Sequence, residues 1–109
     1  MIYSKNFSNK NTSSSLSNLC TLTLPRGNYI LVSQIEFGVT GIDYYQQLSA
    51  GSNILSKDGG CSSSSMPISN IATVIAVNES TTITLSAKSS ANDSAVSGYL
   101  KALYVGSPS

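Results

Sequence analysis

The sequence predicts an all-β domain, a sandwich of about eight short antiparallel strands. Two observations lead to this fold class. First, 40 of the 109 residues are Ser, Thr or Asn and only eleven are charged, and such small polar side chains are poor helix formers that suit strands and turns. Second, turn signals separate short apolar runs at roughly 8–12-residue spacing, without the 3.6-residue repeat of a helix. A chain of this length forms one domain.

The first half of the chain is expected to supply a lead-in and four strands. Residues 1–17 are polar and are predicted to be a linker or a lead-in strand that docks late, so that the domain itself occupies residues 18–109. Apolar and polar residues then alternate, as in half-buried strands, and turn signals such as Pro25-Arg26-Gly27 separate the runs. The predicted strands are residues 18–24, 29–37, 42–48 and 53–57.

The second half begins with a Gly/Ser-rich segment, residues 58–65, which is predicted to be a flexible loop. Pro67 marks a strand boundary or a sheet edge. A polar segment, residues 89–97, is predicted to be a second long loop. The remaining strands are predicted at residues 66–77 (one strand or two), 81–88 and 98–105.

Three of these strands are apolar on both sides. A two-layer sandwich buries only one face of each strand, and a large apolar side chain left in water forgoes about 1.5–3 kcal/mol. We therefore expect other copies of the chain to cover the second faces, although solitary apolar residues are common on protein surfaces. The residues expected at this contact are Ile30, Val32, Ile75, Val77, Tyr99, Leu100, Leu103 and Tyr104.

Charge and cysteine content argue against several classes of function. The net charge is +1 and the six basic residues are scattered, whereas nucleic-acid binding usually needs a basic stripe. The sequence has no run of 18 apolar residues, so no membrane insertion is expected. Cys20 falls in a predicted strand and Cys61 in a predicted loop, and their spacing leaves open whether they pair.

The sequence also predicts no enzyme. It contains no histidine, which removes the commonest general base and the usual partner of a cysteine or serine nucleophile. Its five carboxylates are dispersed along the chain, which favours neither a glycosidase pair nor a metal site. We therefore expect no catalytic residue, no cofactor and no bound metal.

Three segments stand out in the strands: "LTLPRGNYILVSQIEF", "TITLSAKSSA" and "GYLKALYVG". Together they resemble a known family, the jelly-roll head domains of bacteriophage tail fibres and baseplate receptor-binding proteins, and the resemblance spans residues 19–106. These heads are similar to the tumour necrosis factor and complement-globular (TNF/C1q-like) group. It implies a homotrimer at the extracellular tip of a phage tail. It also implies adhesion to host cell-surface saccharide.

Two other functions are compatible with the same residues. The chain would serve as a structural virion or fibre-capping module with no ligand of its own, or as a secreted cytokine-like or complement-like signalling module. The first alternative shares the fold and the trimer with the adhesion head and differs only in lacking a ligand. A glycan array or a host-cell binding assay therefore separates the two.

The ligand site of an adhesion head is expected where exposed aromatic rings lie beside amides and carboxylates. Sugar C–H faces pack on aromatic rings, while sugar hydroxyls pair with amides and carboxylates. The alternative is that one tyrosine of the "DYYQQ" segment packs in the core or at the subunit contact. The candidate residues are Asp43, Tyr44, Tyr45, Gln46 and Gln47 in that segment, and the alternative is Asn92 and Asp93 in the polar loop at residues 89–97.

Overall fold

A computed structural model describes residues 1–92 and 94–107. Eight strands form two four-stranded antiparallel sheets, which confirms the predicted all-β sandwich. The strands are β1 (Ile2–Thr12), β2 (Ser17–Leu24), β3 (Gly27–Phe37), β4 (Asp43–Ala50), β5 (Asn53–Cys61), β6 (Ile68–Val77), β7 (Thr81–Ser89) and β8 (Ser94–Gly106).

The strand order is nested. Sheet A has the order β1-β8-β3-β6 and sheet B has the order β2-β7-β4-β5. The first strand therefore pairs with the last, the second with the seventh, the third with the sixth and the fourth with the fifth. This nesting of antiparallel pairs is the connectivity of a jelly roll.

A single hydrophobic core lies between the sheets, and strict alternation along β3 shows how it is built. Tyr29, Leu31, Ile35 and Phe37 are each at most 1% exposed, as the alternating pattern predicts. Other strands contribute their inward residues in the same way. The largest of these fully buried side chains are Leu24, Leu48, Ile83, Leu85, Val96 and Leu100.

The turn between β2 and β3 explains the Pro-Arg-Gly-Asn-Tyr segment. The buried Tyr29 hydroxyl donates a hydrogen bond to the carbonyl oxygen of Pro25 at 2.7 Å, which satisfies the one polar atom of this ring. A Cβ atom on Gly27 would lie 2.6 Å from the ring of Tyr104. Only glycine therefore lets Tyr104 pack beside Tyr29, where the two rings meet edge to face with centroids 5.7 Å apart.

The polar N-terminal segment, expected to be a linker or a lead-in strand, forms β1, an edge strand of sheet A. It pairs with β8 from Ile2 to Thr12, with a bulge between Phe7 and Lys10. Phe7 is the large apolar residue that β1 buries. An edge strand of a sheet with one face in solvent needs few apolar side chains, and the composition of β1 therefore resembles that of a linker.

Two predicted loops are also shorter than expected. Residues 58–61 belong to β5, where Gly59 and Gly60 leave room for the chain and side chain of Tyr44. Strand β8 begins at residue 94, four residues before its predicted start. A Cβ atom on Gly98 would collide with the carbonyl oxygen of Gln34 and press on the ring of Phe7, so β1, β3 and β8 meet closely only at a glycine.

The outer face of sheet A carries apolar residues that the described part of the chain leaves exposed. Ile2, Leu103, Ile30 and Val74 lie side by side, one from each strand. Val74 is 76% exposed and Ile2 is 65% exposed. We call these four residues the apolar row. Sheet A therefore has the second apolar face that the sequence predicts, but only Ile30 and Leu103 of the row were among the residues expected there.

The expected contact residues divide between the two faces, which corrects half of the set. Val77 and Leu100 are at most 2% exposed within their own chain, and Ile75 and Tyr104 pack against the same core. The reason is register, because Ile75 and Tyr104 both oppose the inward-facing Tyr29. The residues that remain on the outer face are Ile30, Val32, Tyr99 and Leu103.

Candidate functional site

The "DYYQQ" segment begins β4 in sheet B, and the strand alternation separates its side chains. Tyr44 and Gln46 point into the sandwich, whereas Asp43, Tyr45 and Gln47 lie on the outer face. The five residues expected to act together therefore cannot form one surface. Each face has its own chemistry.

Gln46 is completely buried and joins the two sheets. Its Oε1 accepts a hydrogen bond from Ser33 Oγ at 2.8 Å, and its Nε2 donates to Ser69 Oγ at 2.8 Å. Ser69 in turn donates to the carboxylate of Asp58. Every group in this bridge has a partner, as a buried polar network requires. Gln46 is therefore removed from the expected ligand site.

Tyr44 packs against the core. Its ring centroid lies 5.4 Å from that of Phe37, and the side chain is only half-buried because it lies near the end of the sandwich. Tyr44 is therefore the tyrosine of this segment that packs in the core, although one edge of its ring still reaches the surface depression described below.

Tyr45 is the aromatic residue on the outer face of sheet B. Lys88 Nζ lies 5.3 Å from the centroid of its ring, within the range of a cation–π contact. The Tyr45 hydroxyl donates a hydrogen bond to Gln47 Oε1 at 2.9 Å. Both contacts hold the ring in one orientation, with a cation at its face and an amide at its tip.

The second expected segment, the β7–β8 loop, meets the start of β4. The backbone N–H of Ser90 donates to the carbonyl oxygen of Asp43 at 2.9 Å, and Ser90 Oγ accepts from the N–H of Asp43 at 3.0 Å. Asn92, two residues further on, is exposed. Asp93 lies outside the described residues. The structure thus brings the part of this loop at Ser90 to the end of sheet B where β4 begins.

A shallow depression of about 190 Å³ lies at this end. It has a carboxylate, an ammonium group, serine hydroxyls and the edges of two tyrosine rings. Sequence analysis missed Ser14, Lys88 and Ser90, because only the fold brings them to Asp43. The residues that line this surface, which we call the β4 end site, are Ser14, Asp43, Tyr44, Tyr45, Lys88, Ser89 and Ser90.

A larger depression of about 420 Å³ lies at the end of sheet A and was not predicted. Its floor is the buried Phe37 and Val96, and its rim includes the exposed Met66 and Ile68. Glu36 supplies its one carboxylate. No sequence pattern indicated this surface, because it joins the ends of β3 and β8 with the β5–β6 loop.

The two thiols are both free. Cys61 is exposed at the end of β5, and Cys20 is half-buried in β2. Burial raises the pKa of the Cys20 thiol to about 11, although the nearby Lys5 and Lys10 lower it in part.

Across the described residues, no group of three or more His, Cys, Asp or Glu side chains is placed to hold a metal ion. In the same part of the chain, no helix is long and apolar enough to cross a membrane.

Comparison with known proteins identifies no family. No protein-family model matches the chain, and no curated protein matches it in sequence. Solved structures do share its fold. The VP2 subviral particle of infectious bursal disease virus aligns with a TM-score of 0.58 at 16% identity, over 95% of this chain and 32% of VP2. The chain therefore spans about a third of that protein.

Two smaller proteins align over most of their own length. One is a structure of disulfide-linked pili that form Bacillus endospore appendages, with a TM-score of 0.60, 8% identity, and 97% of this chain and 89% of that one covered. The other is the CBM36-1 domain of a multidomain xylanase from the hindgut metagenome of Trinervitermes trinervoides, with a TM-score of 0.52, 13% identity, and 95% and 99% covered. At such identities the similarity establishes the sandwich fold alone.

Replacing Gln46 with leucine is expected to lower the free energy of unfolding by about 2 kcal/mol, because the buried Ser33 hydroxyl loses its acceptor and the Ser69 oxygen loses its donor. Urea denaturation measures the change. The matched control is Gln47→Leu on the outer face, for which we expect less than about 0.5 kcal/mol. Equal effects at the two positions would contradict the bridge.

The two thiols are expected to differ in their reaction with an aromatic disulfide reagent. At about pH 8 the Cys20→Ser variant should label rapidly at Cys61, whereas Cys61→Ser should label slowly because Cys20 remains protonated. The Cys20 rate should then rise about tenfold per pH unit until the pH approaches 11, since the thiolate is the reactive form. Similar rates for both variants at pH 8 would show that Cys20 is not desolvated.

Proposed function

We propose that this chain is the host-recognition head of a phage or prophage tail fibre or baseplate protein. In this proposal it forms a homotrimer at the extracellular tail tip and binds host cell-surface saccharide at the β4 end site. The observation that carries the proposal is the cluster at that site, where an oriented tyrosine, a cation, a carboxylate and several hydroxyls surround one shallow depression.

The chemistry of the β4 end site suits a saccharide. Sugar hydroxyls both donate and accept hydrogen bonds, and Asp43, Lys88 and Ser90 together offer acceptors and donors. The edge and tip of Tyr45 add an amphipathic surface of the kind that binding sites use. The depression is shallow and open, as expected for a ligand that remains part of a cell surface.

The similar structures support the proposal at the level of fold. One is named as a viral particle protein and another as a carbohydrate-binding module, so the sandwich is a scaffold on which both roles occur. Fold does not determine function, and the specific role therefore depends on the residues of the β4 end site. The proposal includes no catalytic step, because the sequence supplies no histidine.

The apolar row supports the assembly part of the proposal. Ile30 and Leu103 lie at its centre, and Val74 and Ile2 extend it across the full width of sheet A. An uncovered surface of this kind usually marks a protein contact. Packing against other copies of the chain would remove it from water.

A second candidate function is a structural or capping module without a ligand. The apolar row favours it equally, because assembly alone would explain that row. One of the similar structures is a pilus protein, which is consistent with a role in building a fibre. The two candidates differ only in whether the β4 end site binds anything.

The Tyr45→Ala variant tests the adhesion function. We expect the wild type to bind host cells or a subset of a printed glycan array, and Tyr45→Ala to lose about tenfold in affinity for that subset, because the variant releases Lys88 and Gln47 from the ring. Glu79→Ala, in the β6–β7 turn at the opposite end of β7, is the matched control and should bind like the wild type.

A wild type that binds neither cells nor glycans would favour the structural module. Binding that survives Tyr45→Ala unchanged would reject the β4 end site as the place where the ligand is held.

A further inference from the structure

A row of amides crosses the outer face of sheet A beside an aromatic ring. Asn6 of β1 opposes Tyr99 of β8, Tyr99 opposes Gln34 of β3, and Gln34 opposes Asn70 of β6. The four side chains therefore share one face and one line, and we call them the amide row. Sequence analysis had assigned Tyr99 to the subunit contact and the three amides to no role.

The three amide side chains of this row have no hydrogen-bond partner among the described residues. None of Asn6, Gln34 and Asn70 forms a side-chain hydrogen bond with another residue in the described ranges. The amides on the outer face of sheet B differ, because Gln47 accepts from Tyr45 and Asn18 accepts from Ser86 at 2.8 Å. On sheet A, three neighbouring amides thus retain donors and acceptors that no described residue uses.

The ring at the centre of the row is held in place. Lys101 Nζ lies 4.7 Å from the centroid of the Tyr99 ring, a cation–π distance, and the ring is half-buried between its neighbours. An aromatic ring flanked by free amides is the combination that binds sugars, since the ring contacts C–H faces while the amides bind hydroxyls or acetamido groups.

Charge around the row favours an uncharged ligand. Lys101 opposes Val32, and this pair lies between the amide row and the apolar row. Glu36 opposes Ser97, on the other side of the amide row. The row itself carries no charge, and its two charged neighbours have opposite signs. A strongly anionic or cationic ligand would therefore meet one neighbouring side chain that attracts it and one that repels it.

The dimensions favour an oligomer. Strands in a sheet are about 4.8 Å apart, so four side chains across four strands span roughly 14 Å. Beyond Glu36, the unassigned depression of about 420 Å³ offers further apolar surface from Met66 and Ile68. A chain of several sugar rings fits this length better than a single ring.

We propose that the amide row is a second saccharide-binding site, which takes a neutral oligosaccharide laid across the strands of sheet A. It lies on the opposite sheet from the β4 end site and does not depend on it. Tyr99 is four residues from Leu103 along β8, or roughly 13 Å. Another copy of the chain can therefore cover the apolar row and leave the amide row at its rim.

A printed array of neutral and acidic oligosaccharides tests this proposal with the full chain. We expect the wild type to retain neutral glycans, and we expect Tyr99→Ala and Gln34→Leu each to weaken that retention about tenfold. Gln34→Leu keeps the size of the side chain and removes only its amide. Thr82→Ala, on the outer face of sheet B, is the control, and thermal melting confirms that each variant is folded.

Each outcome discriminates. Neutral binding that falls in Gln34→Leu while its melting temperature is unchanged supports the amide row, even if Tyr99→Ala unfolds. Retention of no neutral glycan, or equal retention by wild type and Gln34→Leu, overturns it. Neutral binding that falls in Tyr45→Ala but not in Gln34→Leu supports the β4 end site and overturns the amide row.

Discussion

The constraint behind this molecule is that a two-layer sandwich turns only one face of each strand toward the shared core. Strands β3, β6 and β8 carry apolar residues on both faces, so their outward residues remain exposed or half-buried among the residues that the structure describes. The apolar row on sheet A follows directly from this. Sheet B has a more polar outer face, where several hydroxyls and amides pair with one another, as Thr23 and Thr82 do at 3.0 Å. The two outer faces of one small domain therefore offer different partners different chemistry.

The core contains one polar exception, and it holds the sheets in a defined relation. The Gln46 side chain forms hydrogen bonds with Ser33 of β3 and Ser69 of β6. Ser69 in turn donates a hydrogen bond to Asp58 of β5, in the same sheet as Gln46. Apolar packing alone tolerates small shifts between layers, whereas a fully satisfied amide accepts only one arrangement. The bridge lies near the middle of β4, so it also sets which side chains of this strand reach the surface. Tyr45 and Gln47 are on the outer face because Gln46 is inside.

Alternation along single strands made much of the fold predictable, and its limits explain the errors. The prediction of the buried face of β3 was correct because its inward side is far more apolar than its outward side. In β6 and β8 both sides are apolar, so the pattern could not show that Ile75 and Leu100 face inward. β1 lacked a signal because edge strands need few apolar residues. The β4 end site was half predictable: "DYYQQ" indicated an aromatic surface, but Ser14, Lys88 and Ser90 reach it only through the jelly-roll connectivity.

Sedimentation equilibrium at micromolar concentration shows whether further copies of the chain cover the apolar row. The wild type is expected to associate, to a trimer in the proposed assembly. Leu103→Asp is expected to shift the population to monomers, because a carboxylate cannot be buried unpaired in that contact. The monomeric variant should remain folded, since Leu103 lies outside the core. A wild type that stays monomeric at these concentrations would rule out such a contact.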